Sequence, residues 1–89
     1  MPSIRIRVTG KVQGVFFRVF VREQAIKLGL SGWVENQDDG SVLVTAQGPD
    51  EDLDRLINAC RTGPSRSRVD RVDVQDIDSG RLRGFDIRG

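Results

Sequence analysis

The spacing of apolar residues switches repeatedly along this chain between the two-residue period of a strand and the stripe of a helix, and that order restricts the fold more than any single motif. In SIRIRVT, Ser3 to Thr9, the apolar Ile4, Ile6 and Val8 alternate with Ser3, Arg5, Arg7 and Thr9, which predicts a half-buried strand. From Phe17 to Leu28 the residues Phe17, Val21, Ala25 and Leu28 share one helical stripe flanked by Phe20, and Gly29 supplies a C-terminal stop. Val19 and Ile26 lie off that stripe. LSGWVEN, Leu30 to Asn36, and SVLVTAQ, Ser41 to Gln47, read as strands joined by the turn QDDG, with Val42, Val44 and Ala46 facing inward.

Pro49 and the acidic run Asp50 to Asp52 mark the start of a second helix, because proline suits the first turn and carboxylates complement the positive end of the helix dipole. Leu53, Leu56, Ile57 and Cys60 then recur at helical spacing until Gly63 and Pro64 end the run. A fourth strand is predicted from about Val69 to Ile77, and the broken alternation between Val74 and Ile77 predicts a bulge or an early end there. GFDIR near the C-terminus allows a short edge strand through Phe85 and Ile87. The order β, α, β, β, α, β is that of the split βαβ, ferredoxin-like α/β sandwich. The expected fold class is therefore α+β, with a mostly antiparallel four-stranded sheet, a short fifth strand and two helices on one face. A chain of 89 residues supports one core, so residues 1–89 are expected to form one domain.

Composition removes several kinds of function. The chain has no histidine, which excludes serine–histidine and cysteine–histidine nucleophile pairs and histidine-containing zinc sites. Fourteen basic against 13 acidic residues give a net charge of +1, too small for a global field that gathers nucleic acid or anionic lipid. A sheet of this kind that binds RNA stacks bases on exposed aromatic residues, whereas the outward positions here are Arg5, Arg7, Ser41, Leu43, Thr45 and Gln47. Arg66, Arg68 and Arg71 read as a solvated patch, and Trp33 as half-buried packing. Asp38 and Asp39 are turn formers rather than magnesium ligands, and Cys60 is a core thiol, so neither metal nor cofactor is expected. No apolar run approaches the roughly 20 residues that cross a bilayer, and MPSIRIRVT lacks the features of a secretory signal. With a single cysteine as well, the expectation is a cytoplasmic monomer with no membrane or nucleic-acid partner.

The segment GKVQGVFFR, Gly10 to Arg18, carries the strongest functional signal. It joins the first strand to the start of the first helix, where unpaired N–H groups and partial positive charge are presented. Gly10 and Gly14 permit positive φ, so the N–H groups of Gln13 to Arg18 can curl into an anion-binding nest, and the Arg18 guanidinium suits a phosphate. From residue types alone a second reading stands beside it, in which the glycines only shape a turn and Arg18 is solvated. The segment matches neither GxGxxG nor GxxxxGK[ST].

GKVQGVFFR, followed by LGLSGWVEN and DGSVLVTAQGP, resembles the acylphosphatase family, and the resemblance extends through SRV at Ser67 to Val69 to the terminal GFDIR. The fixed positions of G-x-V-Q-G-V-x-F-R and G-W-V-x-N are all met. The resemblance implies a metal-independent hydrolase without cofactor, acting on the carboxyl–phosphate mixed anhydride of a small-molecule acyl phosphate. It further implies that Gln13, Gly14, Val15, Phe16, Phe17 and Arg18 hold the phosphoryl group, that Arg18 clamps its oxygens, and that Asn36 orients the attacking water. Thr9 stands where histidine, serine or tyrosine is often found, and Gln37 where many members carry threonine or leucine, which removes a supporting hydroxyl next to Asn36. An alternative implication is a non-catalytic or partner-dependent module that binds acyl phosphate or carbamoyl phosphate.

Overall fold

β1 (Ser3–Lys11), α1 (Phe17–Lys27), β2 (Ser31–Asn36), β3 (Val42–Gln47), α2 (Asp50–Thr62), β4 (Arg68–Ile77) and β5 (Phe85–Arg88) follow one another in the computed structural model, which describes residues 1–89. The five strands form one sheet in the order β4-β1-β3-β2-β5. β1 is antiparallel to β3 and β4, β2 is antiparallel to β3, and β5 lies parallel to β2. It follows that β1, β2 and β5 all run in one direction, so their C-terminal ends finish at the same end of the sheet. β5 is thus a parallel edge that makes the sheet mixed.

The period-two alternation decides which face is buried. Ile4, Ile6 and Val8 of β1, Val34 of β2, and Val42, Val44 and Ala46 of β3 form one core with Phe17, Val21 and Ala25 of α1 and Leu53, Leu56 and Cys60 of α2. Fully burying side chains of this kind contributes about 1.5–3 kcal/mol each, which is why the stripes rather than local propensity fix the helices. Val19 and Ile26, off the stripe, are exposed.

Two expectations are corrected: an irregular end to β4, and a sheet face open to solvent opposite the helices. β4 neither bulges nor stops between Val74 and Ile77, because its register against β1 runs unbroken from Val72 opposite Val8 to Ile77 opposite Ser3. Parity places Asp76 on the helix side and Ile77 on the other, so the broken pattern marks a change of the apolar face. The register shift lies instead between Thr9 and Gly10, opposite Arg71 and Val69. The face away from the helices is only partly open to solvent. Ser3, Thr45 and Gln47 are buried there. The Gln47 amide donates to Ser3 Oγ and the Gly80 carbonyl, both at 3.0 Å, and its oxygen accepts the Leu82 N–H at 2.8 Å, so the segment after β4 is folded over that end. Arg68 and Arg71 are solvated as expected, and each also pairs with a neighbouring carboxylate, Asp70 at 3.0 Å and Asp73 at 2.9 Å.

Gly10 is the point where β1 and β4 come too close for a side chain. Its φ is +136°, and a Cβ would stand 2.1 Å from the Arg68 carbonyl oxygen and 2.8 Å from the Asp70 nitrogen. Strained backbone of this kind costs on the order of 1–3 kcal/mol, and that is the loss expected for Gly10→Ala in urea unfolding. An unchanged midpoint would mean that β4 yields freely at this position.

Candidate active site

Between β1 and α1 the chain alternates buried and outward residues. Val12, Val15 and Phe17 are 1%, 7% and 1% exposed, whereas Phe16 is 76% exposed. Gly14 takes φ +74° and Phe16 φ +62°, while Gln13 and Val15 do not have positive φ. Alternation of backbone handedness turns successive N–H groups toward one concave side, the geometry of an anion nest. At Gly14 a Cβ would meet nothing within 4 Å, so conformation rather than space favours glycine there.

The N–H groups of Gly14 to Val19 take part in none of the turn, loop or cap hydrogen bonds, and no side chain accepts from them. The first bond of α1 runs from the Phe20 N–H to the Phe16 carbonyl. The helix has no side-chain cap and no acidic residue in its first turn. α2 is opposite in this respect, with Asp50, Glu51 and Asp52 in its first turn. The positive end of α2 is neutralised by its own carboxylates; that of α1 stays available to an external anion.

Two side chains border the same space. A cavity of about 340 Å³ is lined by Gly14, Phe16 and Arg18 from the loop and helix start, by Asn36 from β2, and by Ile87 from β5. The Arg18 Nη1 donates to the carbonyls of Gly89 at 2.5 Å and Arg88 at 3.3 Å. Both acceptors lie at the C-terminal end of β5, brought here by its parallel pairing with β2. Asn36, the last residue of β2, has the one buried side-chain polar atom without a hydrogen-bond partner, its Oδ1. An unsatisfied buried acceptor costs about 1–3 kcal/mol.

Gln13 behaves differently from the rest of the loop. Its Nε2 donates to the carbonyls of Gln37 at 2.8 Å and Ser41 at 2.9 Å, so its side chain braces the β2–β3 turn rather than facing the cavity. Val15 and Phe17 likewise have core side chains and offer the cavity only backbone. Gln37 turns its amide toward Glu35 Oε1 at 3.0 Å and the Asn36 backbone carbonyl at 3.5 Å, and makes no hydrogen bond to the Asn36 side chain. Asp39 accepts from the Ser41 hydroxyl at 2.6 Å and its N–H at 2.9 Å and faces Arg7. These contacts, the Ser41 hydrogen bonds foremost, hold its carboxyl below the usual range in a turn-forming role. Burial pushes the Cys60 thiol up to about 12, which removes it as a nucleophile. No cluster of three or more His, Cys, Asp or Glu side chains is arranged to hold a metal ion.

Sequence reading did not anticipate Val19, Ile87 or the carbonyls of Arg88 and Gly89 at this site. Only Val19 carried a signal, its place off the apolar stripe.

The family model for acylphosphatase matches residues 4–87. The chain belongs to the acylphosphatase family. Within it, the chain is 51% identical over 81 residues to an acylphosphatase of Rhizorhabdus wittichii, covering 91% of this chain and 82% of that one. Its fold superposes on the crystal structure of acylphosphatase from Bacillus subtilis with a TM-score of 0.95 and 40% identity, over 100% of both chains. It also matches HypF of T. kodakarensis with a TM-score of 0.88 and 32% identity, over 100% of this chain and 12% of that one. The acylphosphatase fold is therefore the five-stranded, two-helix sandwich described above.

The brace at Gln13 can be separated from the loop it holds. Gln13→Ala leaves the Gln37 and Ser41 carbonyls without that donor, and a loss of roughly 1–3 kcal/mol in unfolding free energy is expected. Unaltered stability would contradict the bracing role.

Proposed function

We propose that the chain hydrolyses small acyl phosphates to a carboxylate and inorganic phosphate, with the phosphoryl group held by the backbone of the Gly14 to Arg18 loop. The observation that carries this reading is the run of unpartnered N–H groups from Gly14 to Val19 at an uncapped helix start, bordering the same cavity as Arg18 and Asn36. Phosphoryl transfer asks a protein mainly for positioning and for stabilisation of charge on the equatorial oxygens. The N–H groups and the planar Arg18 fork supply the second. To bind phosphate, Arg18 exchanges the Arg88 and Gly89 main-chain oxygens for phosphoryl oxygens that its planar fork bridges.

The Asn36 side-chain amide, which borders the cavity, orients the attacking water with its lone pair toward phosphorus. The water oxygen bonds to phosphorus as the bond from phosphorus to the acyl oxygen breaks, and the carboxylate departs with that electron pair. The water proton passes to a phosphoryl oxygen of the substrate. A carboxylate is a good enough leaving group that no protonating acid is required, which fits a chain without histidine. The Gln13 side chain acts here by fixing the loop rather than by touching phosphate.

We further infer a cytoplasmic monomer. A lone, buried Cys60 supports a chain that needs no disulfide, and no helix is long and apolar enough to cross a membrane. The HypF match supports a second reading, a domain that acts within a larger assembly. Copurification with a larger protein, together with negligible turnover of simple acyl phosphates, is the result that would favour it.

Benzoyl phosphate hydrolysis, assayed with chelator present, tests the assignment. Removing a preorganised donor aimed at developing charge costs roughly 100- to 1,000-fold, so Arg18→Ala is expected to lose at least that, together with inhibition by inorganic phosphate. Arg18→Lys recovers little, because a point charge does not bridge two oxygens. Asn36→Ala lowers kcat by about 100-fold while leaving phosphate inhibition closer to wild type. Across about pH 6 to 8, kcat/KM follows the substrate's own titration. Wild-type turnover in Arg18→Ala, or loss of phosphate affinity with unchanged kcat in Asn36→Ala, would refute the roles.

A further inference from the structure

Phe16, Val19 and Ile87 are three of the six large apolar side chains that stay exposed, and all three border the cavity that holds Arg18 and Asn36. Their positions come from three separate constraints. Phe16 is pushed outward by its left-handed backbone at the start of α1. Val19 sits three residues on, one helical turn away on the same side, and is 44% exposed. Ile87 pairs in register with the buried Val34 and so faces the helix side of the sheet, but on an edge strand it remains 41% exposed. A local concentration of exposed apolar surface rimmed by polar groups marks a binding site rather than ordinary surface.

We propose that these three side chains form an acyl subsite that selects acyl phosphates whose acyl group is apolar and uncharged. This rests on the phosphoryl-loop reading above. The cavity that Gly14, Arg18 and Asn36 line extends to the side chains of Phe16, Val19 and Ile87, so a phosphoryl group on the loop leaves its acyl substituent against that apolar rim. The one charged side chain lining it is Arg18, which the phosphoryl oxygens use. Next to Arg18 stand the main-chain oxygens of Arg88 and Gly89, which repel a second anion. An acyl group that ends in a carboxylate would therefore be desolvated among apolar side chains and carbonyl dipoles without a second cation. An aromatic or aliphatic acyl group buries the rim instead.

The test compares kcat/KM for benzoyl, acetyl and succinyl phosphate, the last carrying a carboxylate on its acyl end. Wild type is expected to favour benzoyl phosphate over both. In the Val19→Ala/Ile87→Ala double variant the benzoyl-to-acetyl ratio falls by about 10-fold, the low end for contacts in an apolar pocket, because this one is half open. Val19→Lys places a cation at the rim and raises the succinyl-to-benzoyl ratio by up to about fivefold, as expected of an exposed ion pair. Both positions are partly exposed, and a ratio of substrates is independent of the fraction of folded enzyme. Inhibition of the wild type adds a measurement without mutation: phenylphosphonate is expected to bind more tightly than methylphosphonate. An unchanged benzoyl-to-acetyl ratio in the double variant, or equal inhibition by the two phosphonates, would overturn the subsite and leave the phosphoryl loop standing. Absence of wild-type turnover with all three substrates would overturn the loop reading and the subsite together.

Discussion

Burial of Val12, Val15 and Phe17 is the interaction on which the site depends. The loop between β1 and α1 contains a non-glycine residue in left-handed backbone, Phe16, a conformation that costs about 1–2 kcal/mol. Against that, three core side chains contribute together roughly 5–9 kcal/mol. Burial wins by a wide margin, and the loop cannot relax into an ordinary helical cap without pulling one of them out. Because alternate side chains point inward, the N–H groups between them point outward. In the proposed phosphoryl site recognition is done by backbone, and the loop needs little polar chemistry of its own beyond the Gln13 brace.

Topology supplies the rest. The parallel sense of β1, β2 and β5 delivers the loop, Asn36, and the Arg88–Gly89 carbonyls to one end of the sheet from three distant parts of the chain. The two helices divide the electrostatics between them. α2 carries three carboxylates in its first turn and quenches its own dipole, while α1 carries none. The anion preference of one helix end over the other thus follows from where acidic residues were placed, and not from the net charge of +1.

Much of this was legible in the sequence, since Ile4, Ile6 and Val8, the stripe through Phe17, Val21 and Ala25, and the stripe through Leu53, Leu56 and Cys60 report directly which faces are buried. Arg18 was singled out by its chemistry and by the resemblance, Asn36 by the resemblance alone. What stayed hidden depended on pairing across the chain. The register shift opposite Gly10 arises from β4, some sixty residues away in sequence, and leaves no local mark beyond the glycine itself. Gln13 entered the nest through its backbone N–H, and nothing in the sequence signalled that its side chain donates to the Gln37 and Ser41 carbonyls and so braces the turn. Val19 and Ile87 appeared as a misplaced helix residue and an edge-strand residue until the fold brought them to one rim.

The central claim is that backbone amides hold the phosphoryl group, and a titration of the ¹⁵N-labelled wild type with inorganic phosphate, followed by amide chemical shifts, tests it most directly. The account predicts saturable shifts concentrated on the N–H groups of Gly14 to Val19 and on the Arg18 side chain, with the start of α2 unaffected. Shifts centred elsewhere, or a silent loop under conditions where phosphate inhibits turnover, would contradict it.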